Sequence, residues 1–307
     1  MLHVREDRYE SGHKTEPAGG REAHRPGRLR DAVIGETCRQ RGPERGVSVL
    51  ELERLVKSFG GVRAVDGVSL SVPQGELRAL IGPNGAGKST LFSLVTGHLR
   101  PEQGTISFES RQIEQLRPAV RARLGIAITF QTVRLFRGMT ALENVMVGAH
   151  SWTEHEFIEA ALRLPRHFRE EPKIRERARA VIARAGLEHW ADSPAESLPL
   201  GQQRSVQIAR ALCSNPKLLL LDEPAAGLRG EERRELSELL SRLREEKLTM
   251  LLVEHDISFV SAVADRVTVL DLGHVIAEGT PAEVRGNEAV IDAYLGSVAG
   301  DGAVTGS

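Results

Sequence analysis

A chain of 307 residues, 40% hydrophobic and 27% charged, has the composition of a globular protein with one or two domains. Its formal net charge of −1 excludes the overall basic character typical of proteins whose main partner is nucleic acid. Cys38 and Cys213 lie far apart without metal-ligand spacing and indicate a reducing compartment. No apolar run approaches the roughly 18 residues that a membrane-spanning helix needs, so a cytosolic protein, or one held at a membrane by partners, is expected.

Residues 1–46 are rich in Arg, Glu, His, Gly and Pro and show little apolar periodicity. They are expected to form a disordered tail, although a start site assigned too far upstream would give the same composition. From Val47 the pattern changes, since Leu50–Glu53 and Val68–Val72 alternate between apolar and polar residues. That alternation predicts two half-buried strands.

The rest of the chain alternates between predicted strands and helices. Leu218–Leu221 has no polar break, which is typical of a parallel strand buried on both faces. Residues from about 140 to 215 are predicted to be helical, with an apolar face at Ala178, Val181, Ile182 and Ala185. Further strands are predicted at Leu77–Ile81, Ile126–Phe130, Thr249–Val253 and Arg266–Leu270, and further helices at Leu91–Thr96, around Leu236–Leu243 and near Glu288–Leu295.

This order predicts an α/β domain over residues 47–297. The helical stretch is expected to be an inserted subdomain at about 132–215, and residues 298–307 a flexible C-terminal tail.

A glycine-rich segment between the strand at Leu77–Ile81 and the following helix fits the pattern G-x-x-x-x-G-K-[ST]. Glycines allow backbone N–H groups to turn towards phosphates, and the positive end of the following helix points at them. Lys88 is predicted to reach the β- and γ-phosphates of ATP, and Ser89 to bind Mg²⁺. The predicted phosphate loop comprises Gly82, Pro83, Asn84, Gly85, Ala86, Gly87, Lys88, Ser89 and Thr90.

Two adjacent carboxylates, Asp222 and Glu223, follow the strand at Leu218–Leu221. The carboxyl ends of parallel strands are the usual ligand edge of an open α/β sheet. Asp222 is therefore predicted to hold Mg²⁺, and Glu223 to act as general base towards the attacking water.

Four further features occur in order around these motifs: Phe59 before the phosphate loop, Gln131 after the strand at Ile126–Phe130, the segment Leu198–Gln202, and His255 after the strand at Thr249–Val253. In this order and spacing, the region from about Val47 to Leu295 resembles the ATP-binding-cassette (ABC) ATPases.

The resemblance implies a P-loop NTPase (RecA-like) core with an antiparallel β-subdomain and an inserted α-helical subdomain. It implies that Phe59 stacks on adenine, that Gln131 touches Mg²⁺ and the water, and that His255 is the switch histidine. The signature segment Leu198–Gln202, with Leu198, Gly201 and Gln202, is implied to face the γ-phosphate of ATP held by a second cassette.

Two residues depart from the family pattern. Pro199 stands where many members have a serine whose hydroxyl could bond the γ-phosphate, and Arg229 stands where the D-loop commonly has aspartate. Both departures concern the site of the partner's ATP, so a dissimilar second cassette is expected rather than a symmetric pair.

Within the family, the segments Phe130–Phe136, Gly201–Arg204, Asp222–Leu228 and Glu278–Gly296 look like those of the branched-chain amino-acid importer ATPases. That likeness implies a second ABC ATPase subunit, two polytopic permease subunits and an extracytoplasmic solute-binding protein, with this chain peripheral at the cytoplasmic face of the membrane. Urea-type and lipopolysaccharide-export ATPases share parts of the pattern. A soluble cassette acting on ribosomes or nucleic acid, and a phosphotransferase using the phosphate loop, are the alternatives from other classes.

Overall fold

The computed structural model describes residues 48–149 and 167–301, all within the unit Glu44–Ser307. The tail expected at residues 1–46 lies outside the described residues, as do residues 150–166 and 302–307. The elements, in chain order, are β1 (Ser48–Phe59), β2 (Val62–Pro73), β3 (Leu77–Ile81), α1 (Lys88–Thr96), β4 (Gln103–Phe108), β5 (Arg111–Gln112), α2 (Pro118–Arg123), β6 (Ile126–Thr129), α3 (Ala141–Val147), α4 (His167–Arg184), α5 (Leu200–Cys213), β7 (Leu218–Asp222), α6 (Gly230–Glu245), β8 (Thr249–Val253), α7 (Ile257–Val263), β9 (Arg266–Asp271), β10 (His274–Gly279), α8 (Pro281–Arg285) and α9 (Glu288–Asp301).

The strands form two sheets. Four antiparallel strands in the order β2-β1-β4-β5 make the smaller sheet, and six strands in the order β10-β9-β3-β8-β7-β6 make the larger one. In the larger sheet the strands from β9 to β6 run parallel, and β10 pairs antiparallel to β9 at one edge. This arrangement confirms the predicted fold class, a P-loop NTPase core with an antiparallel β-subdomain.

Strand β7 shows why the larger sheet is covered on both faces. Because successive side chains of a strand point to opposite faces, Leu218 and Leu220 enter one core while Leu219 and Leu221 enter the other. The first core contains apolar side chains of the four-stranded sheet and α1, and the second contains those of the helices. All four leucines are fully buried, as their unbroken apolar run predicts.

Helices α3, α4 and α5 contact one another. The apolar face predicted at Ala178, Val181, Ile182 and Ala185 lies on and just after α4 and is buried in the core that these helices form. Helix α3 begins with a capping box in which Thr140 and Glu143 bond each other's backbone N–H groups. The helical subdomain at about 132–215 remains a prediction, since part of it lies outside the described residues.

Some boundaries differ from those expected. Helix α9 continues to Asp301, so the expected domain end at residue 297 falls inside a helix, and the expected tail at 298–307 begins as helix. Helix α1 begins at Lys88 rather than Leu91, because Gly87 adopts the left-handed conformation that delivers the chain into the helix. The hairpin strand β10 was not anticipated. Among the described helices, none is both long and apolar enough to cross a membrane.

Candidate nucleotide-binding site

The phosphate loop lies between the buried strand β3 and helix α1, where the sequence places it. Gly82 and Gly87 have φ of 152° and 101°, and a side chain at either position would collide with a backbone carbonyl oxygen, Leu270 O or Ala64 O respectively. These glycines are therefore required both by conformation and by close approach. Ala86 O accepts a hydrogen bond from Gly273 N at 3.0 Å, which ties the loop to the turn between β9 and β10.

Lys88 is 7% exposed, and its Nζ donates to Gly82 O at 2.7 Å and Pro83 O at 2.9 Å. The ammonium is thus held across the mouth of the loop by the loop's own carbonyl groups. Burial lowers the pKa of Lys88, and the negative charge of Glu223 opposes that shift. The phosphate loop and the carboxylate of Glu223 are therefore close enough to interact electrostatically.

The carboxylates lie where the sequence predicts. Asp222 ends β7, and Glu223 follows with φ of 42° and donates its backbone N–H to Val253 O of β8 at 2.9 Å. Burial raises the pKa of Asp222, and the adjacent charge of Glu223 raises it further. Two crowded carboxylates of this kind favour a bound cation.

Gln131 and His255 both face Glu223. The Gln131 amide Nε2 donates to Glu223 Oε2 at 2.7 Å, and His255 Nδ1 lies 3.9 Å from the same oxygen. The His255 side chain is exposed. The structure therefore brings together the three side chains that the sequence predicts for hydrolysis: Glu223, Gln131 and His255.

Phe59 ends β1 with its ring 47% exposed, and Lys57 Nζ lies 5.5 Å from the ring centroid. An exposed aromatic face beside a cation is suited to stacking on a planar ligand. The adenine contact predicted for Phe59 stays a prediction.

The signature segment makes different contacts from the other predicted site residues. Leu198 is buried, Pro199 is the N-cap of α5 without any side-chain cap bond, and Gly201 N donates to Glu232 Oε1 at 2.9 Å. The Gln202 side chain donates to Glu235 Oε2 at 3.1 Å. Gly201 and Gln202 thus bond to helix α6 and not to the group around Glu223.

Two buried polar residues support this site without having been expected. Arg204 of α5 donates to the carbonyl oxygens of Phe130 and Gln131 and, at 3.3 Å, to Ala226 O, while Gln207 donates to Phe130 O at 3.1 Å. Helix α5 therefore fixes, through these hydrogen bonds, the backbone of Phe130 and of Gln131, the glutamine that faces Glu223. A polar residue in an amphipathic helix carries no sequence signal that distinguishes this contact from solvent exposure.

Glu254 is a third such residue, 1% exposed at the end of β8. Its Oε1 accepts Ala225 N at 2.9 Å, and its Oε2 lies 3.3 Å from His255 N and 3.8 Å from His255 Nδ1. Burial raises the pKa of Glu254. The sequence did carry a signal for Glu254, because this residue directly follows the predicted strand Thr249–Val253. In the structure that strand, β8, lies beside β7 and ends at the same sheet edge as Glu223.

The chain matches known protein families and relatives over most of its length. Residues 65–226 match the family described as ABC transporter, and residues 274–300 match the family described as branched-chain amino acid ATP-binding cassette transporter. The high-affinity branched-chain amino acid transport ATP-binding protein LivG of Salmonella typhimurium is 43% identical over 249 residues, covering 81% of this chain and 98% of that protein. A probable branched-chain amino acid transport ATP-binding protein of Methanocaldococcus jannaschii is 35% identical over 254 residues, covering 81% and 98%.

Solved structures match as well. The ADP conformation of an ATP-binding cassette from an ABC transporter has a TM-score of 0.70 and 33% identity, covering 81% of this chain and 99% of that chain. A dimeric cassette bound to ADP and phosphate, in a post-hydrolysis state, has a TM-score of 0.62 and 27% identity, covering 76% and 98%.

A phosphate loop, a paired carboxylate edge and a glutamine and histidine facing one glutamate, on this fold and with these matches, define an ATP-binding cassette that hydrolyses ATP. The chain belongs to the ABC transporter family. Within that family it groups with the branched-chain amino acid transport ATP-binding proteins, as its sequence motifs predict.

Proposed function

We propose that the chain is the ATP-hydrolysing subunit of an importer for branched-chain amino acids, acting at the cytoplasmic face of the membrane through separate permease subunits. The observation that carries the catalytic part is the convergence of Gln131 and His255 on Glu223. The solute is supported by the names of the relatives, including those from Salmonella typhimurium and Methanocaldococcus jannaschii. These two relatives do not favour the urea-type, lipopolysaccharide-export or ribosome-associated alternatives.

In the proposed reaction, Lys88 exchanges its bonds to Gly82 O and Pro83 O for oxygens of the β- and γ-phosphates. The water attacks the γ-phosphorus while Glu223 accepts its proton, and the bond from that phosphorus to the β,γ-bridging oxygen breaks, so that ADP and phosphate are released. Gln131 and His255 hold the Glu223 carboxylate and the water in place. Phe59 stacks on the adenine.

Mg²⁺ fits the residues present, because Asp222 and Glu223 place adjacent carboxylates at the end of β7, and carboxylate oxygens are ligands that Mg²⁺ prefers. Over the described residues, no group of three or more His, Cys, Asp or Glu side chains could hold a metal alone. Asp222, Ser89 and Gln131 would hold Mg²⁺ together with the phosphates, and the ion would neutralise charge on the phosphate oxygens.

The chain is proposed to work in a pair with a dissimilar cassette. Pro199 and Arg229 leave this chain's contribution to the partner's ATP without the usual hydroxyl and aspartate. A two-fold homodimer would impose both departures on both sites, whereas a different partner leaves one site complete. Steady-state ATPase activity should therefore rise when the partner cassette and the permeases are added to the purified chain. Full activity from the chain alone, unchanged by partners, would refute the heteropair.

The test of function compares Glu223→Gln with Glu288→Gln, an exposed glutamate on α9, in the assembled transporter. Glu223→Gln should lower ATP turnover by about 10²–10⁴-fold, the range typical of a lost general base, while nucleotide still binds. Glu288→Gln should leave turnover unchanged. ATP-driven leucine uptake into vesicles should fall with turnover. Uptake of urea in place of leucine would refute the solute, and near-normal turnover in Glu223→Gln would refute the role of Glu223.

A further inference from the structure

The N-terminus of helix α5 is capped in an unusual way. The N-cap residue is Pro199, which has no side-chain acceptor, although a serine at an N-cap accepts a hydrogen bond from the second or third backbone N–H of the helix. The second N–H of α5 belongs to Gly201, which is buried. A buried N–H without a partner is costly, so some other group must satisfy it.

That group is the carboxylate of Glu232, in the first turn of the neighbouring helix α6. Glu232 Oε1 accepts the Gly201 N–H at 2.9 Å. A side chain at position 201 would place its Cβ 2.9 Å from Glu232 Cβ, so glycine is needed for this approach. The carboxylate also lies near the positive ends of both helices, an arrangement that stabilises a negative charge.

The same N–H has a second expected partner. If the chain pairs with another cassette, as proposed above, the signature segment faces the γ-phosphate of the partner's ATP, and Gly201 is the glycine within it. One N–H cannot donate in full to a carboxylate and a phosphate together, and the two anions repel each other at close range. Closure of the pair therefore requires Glu232 to leave Gly201.

We propose that Glu232 is a positioning residue of the signature segment: it caps α5 in place of the side chain that Pro199 lacks, and it yields the Gly201 N–H to the γ-phosphate when two cassettes close. The exchange rests on the proposed pairing function, whereas the capping role rests on this chain alone. An arm of the experiment addresses each.

The first arm measures hydrogen exchange at the Gly201 amide in the isolated full-length chain. Glu232→Ala should speed this exchange about fivefold and lower the melting temperature by about 3 °C. Adding Pro199→Ser to that variant should restore slow exchange, because the serine hydroxyl can cap the helix itself. Glu238→Ala, an exposed position on the same helix, is the matched control and should change neither. Unchanged exchange in Glu232→Ala, or no rescue by Pro199→Ser, would overturn the capping role.

The second arm measures the ATP concentration that gives half-maximal pairing, in the Glu223→Gln background and with the partner cassette. Glu232→Gln keeps an oxygen acceptor but removes the charge, so pairing should need about fivefold less ATP, whereas Glu238→Gln should leave the requirement unchanged. An equal or higher requirement in Glu232→Gln would overturn the exchange. If ATP drives pairing neither in the Glu223→Gln background nor in the variants made on it, the pairing function is contradicted. The first arm would still decide the capping role.

Discussion

Replacing Glu254 with leucine should destabilise the chain far more than replacing it with glutamine. The Glu254 carboxylate is 1% exposed and accepts the backbone N–H groups of Ala225 and His255. Leucine fills similar space but accepts no hydrogen bond, so both N–H groups lose this partner. Glutamine retains one carbonyl oxygen, which can still accept from Ala225.

The expected loss follows from these contacts. Each buried N–H left without a partner costs about 1–3 kcal/mol, and the longer bond from His255 contributes less, so Glu254→Leu should cost about 3 kcal/mol in the free energy of unfolding. For a domain of this size, that loss corresponds to a melting temperature lower by about 6–12 °C. Glu254→Gln should cost about 1 kcal/mol or less. Denaturant unfolding of both variants at neutral pH provides the measurement.

The pH dependence of stability supplies an independent check. Burial raises the pKa of Glu254 in the folded chain above its unfolded value, so the folded chain binds more protons between those two values. The contribution of this group to stability is therefore complete below the unfolded pKa and is lost as pH rises through the folded pKa. As pH rises through that window, the wild-type chain should therefore lose unfolding free energy relative to Glu254→Gln. Equal stability of the leucine and glutamine variants, or a difference that does not change with pH, would refute the reasoning.

Three further outcomes are expected. Lys88→Ala should weaken ATP binding, measured by calorimetry, because Lys88 is the buried cation of the phosphate loop; unchanged affinity would contradict its placement. Gly87→Ala should abolish ATP binding or unfold the phosphate loop, because the added Cβ would collide with Ala64 O at a φ of 101°. The added Cβ of Gly85→Ala meets no atom within 4 Å, so this variant should lose less ATP affinity. Equal losses in the two variants would contradict the steric argument. Arg121→Met should cost about 3 kcal/mol in unfolding free energy, because the buried guanidinium donates to Leu94 O and Val95 O at the end of α1; a neutral effect would show that other groups satisfy those carbonyls.

The sequence was most informative where a regular apolar pattern or a motif coincided with the carboxyl ends of the parallel strands. The unbroken apolar run at Leu218–Leu221 predicted strand β7, and the residues after it predicted both carboxylates. Strands β3 and β8 were predicted with the bounds that the structure has. Short edge strands such as β5 were missed, because two exposed residues carry no periodic signal.

The supporting contacts of the site could not be predicted in the same way. Arg204, Gln207 and Glu232 act through partners distant in sequence, and polar residues on helices are usually solvated. Pro199 was recognised as a departure from the family pattern, but its replacement by Glu232 depends on how closely α6 approaches α5. Such information lies in tertiary packing and not in local composition.

The position of β3 within the larger sheet has a consequence for biosynthesis. Both neighbours of this strand come later in the chain: Leu77 pairs with Met250 of β8, 173 positions on (250 − 77), and Arg78 pairs with Arg266 of β9. At about 5–20 residues per second, a ribosome needs about 10–35 s to supply the first of these partners. The phosphate loop gains its hydrogen bond from Gly273 later still, because that residue lies in the turn after β9. Newly made chains that stop short of this turn should therefore bind ATP more weakly than the complete chain.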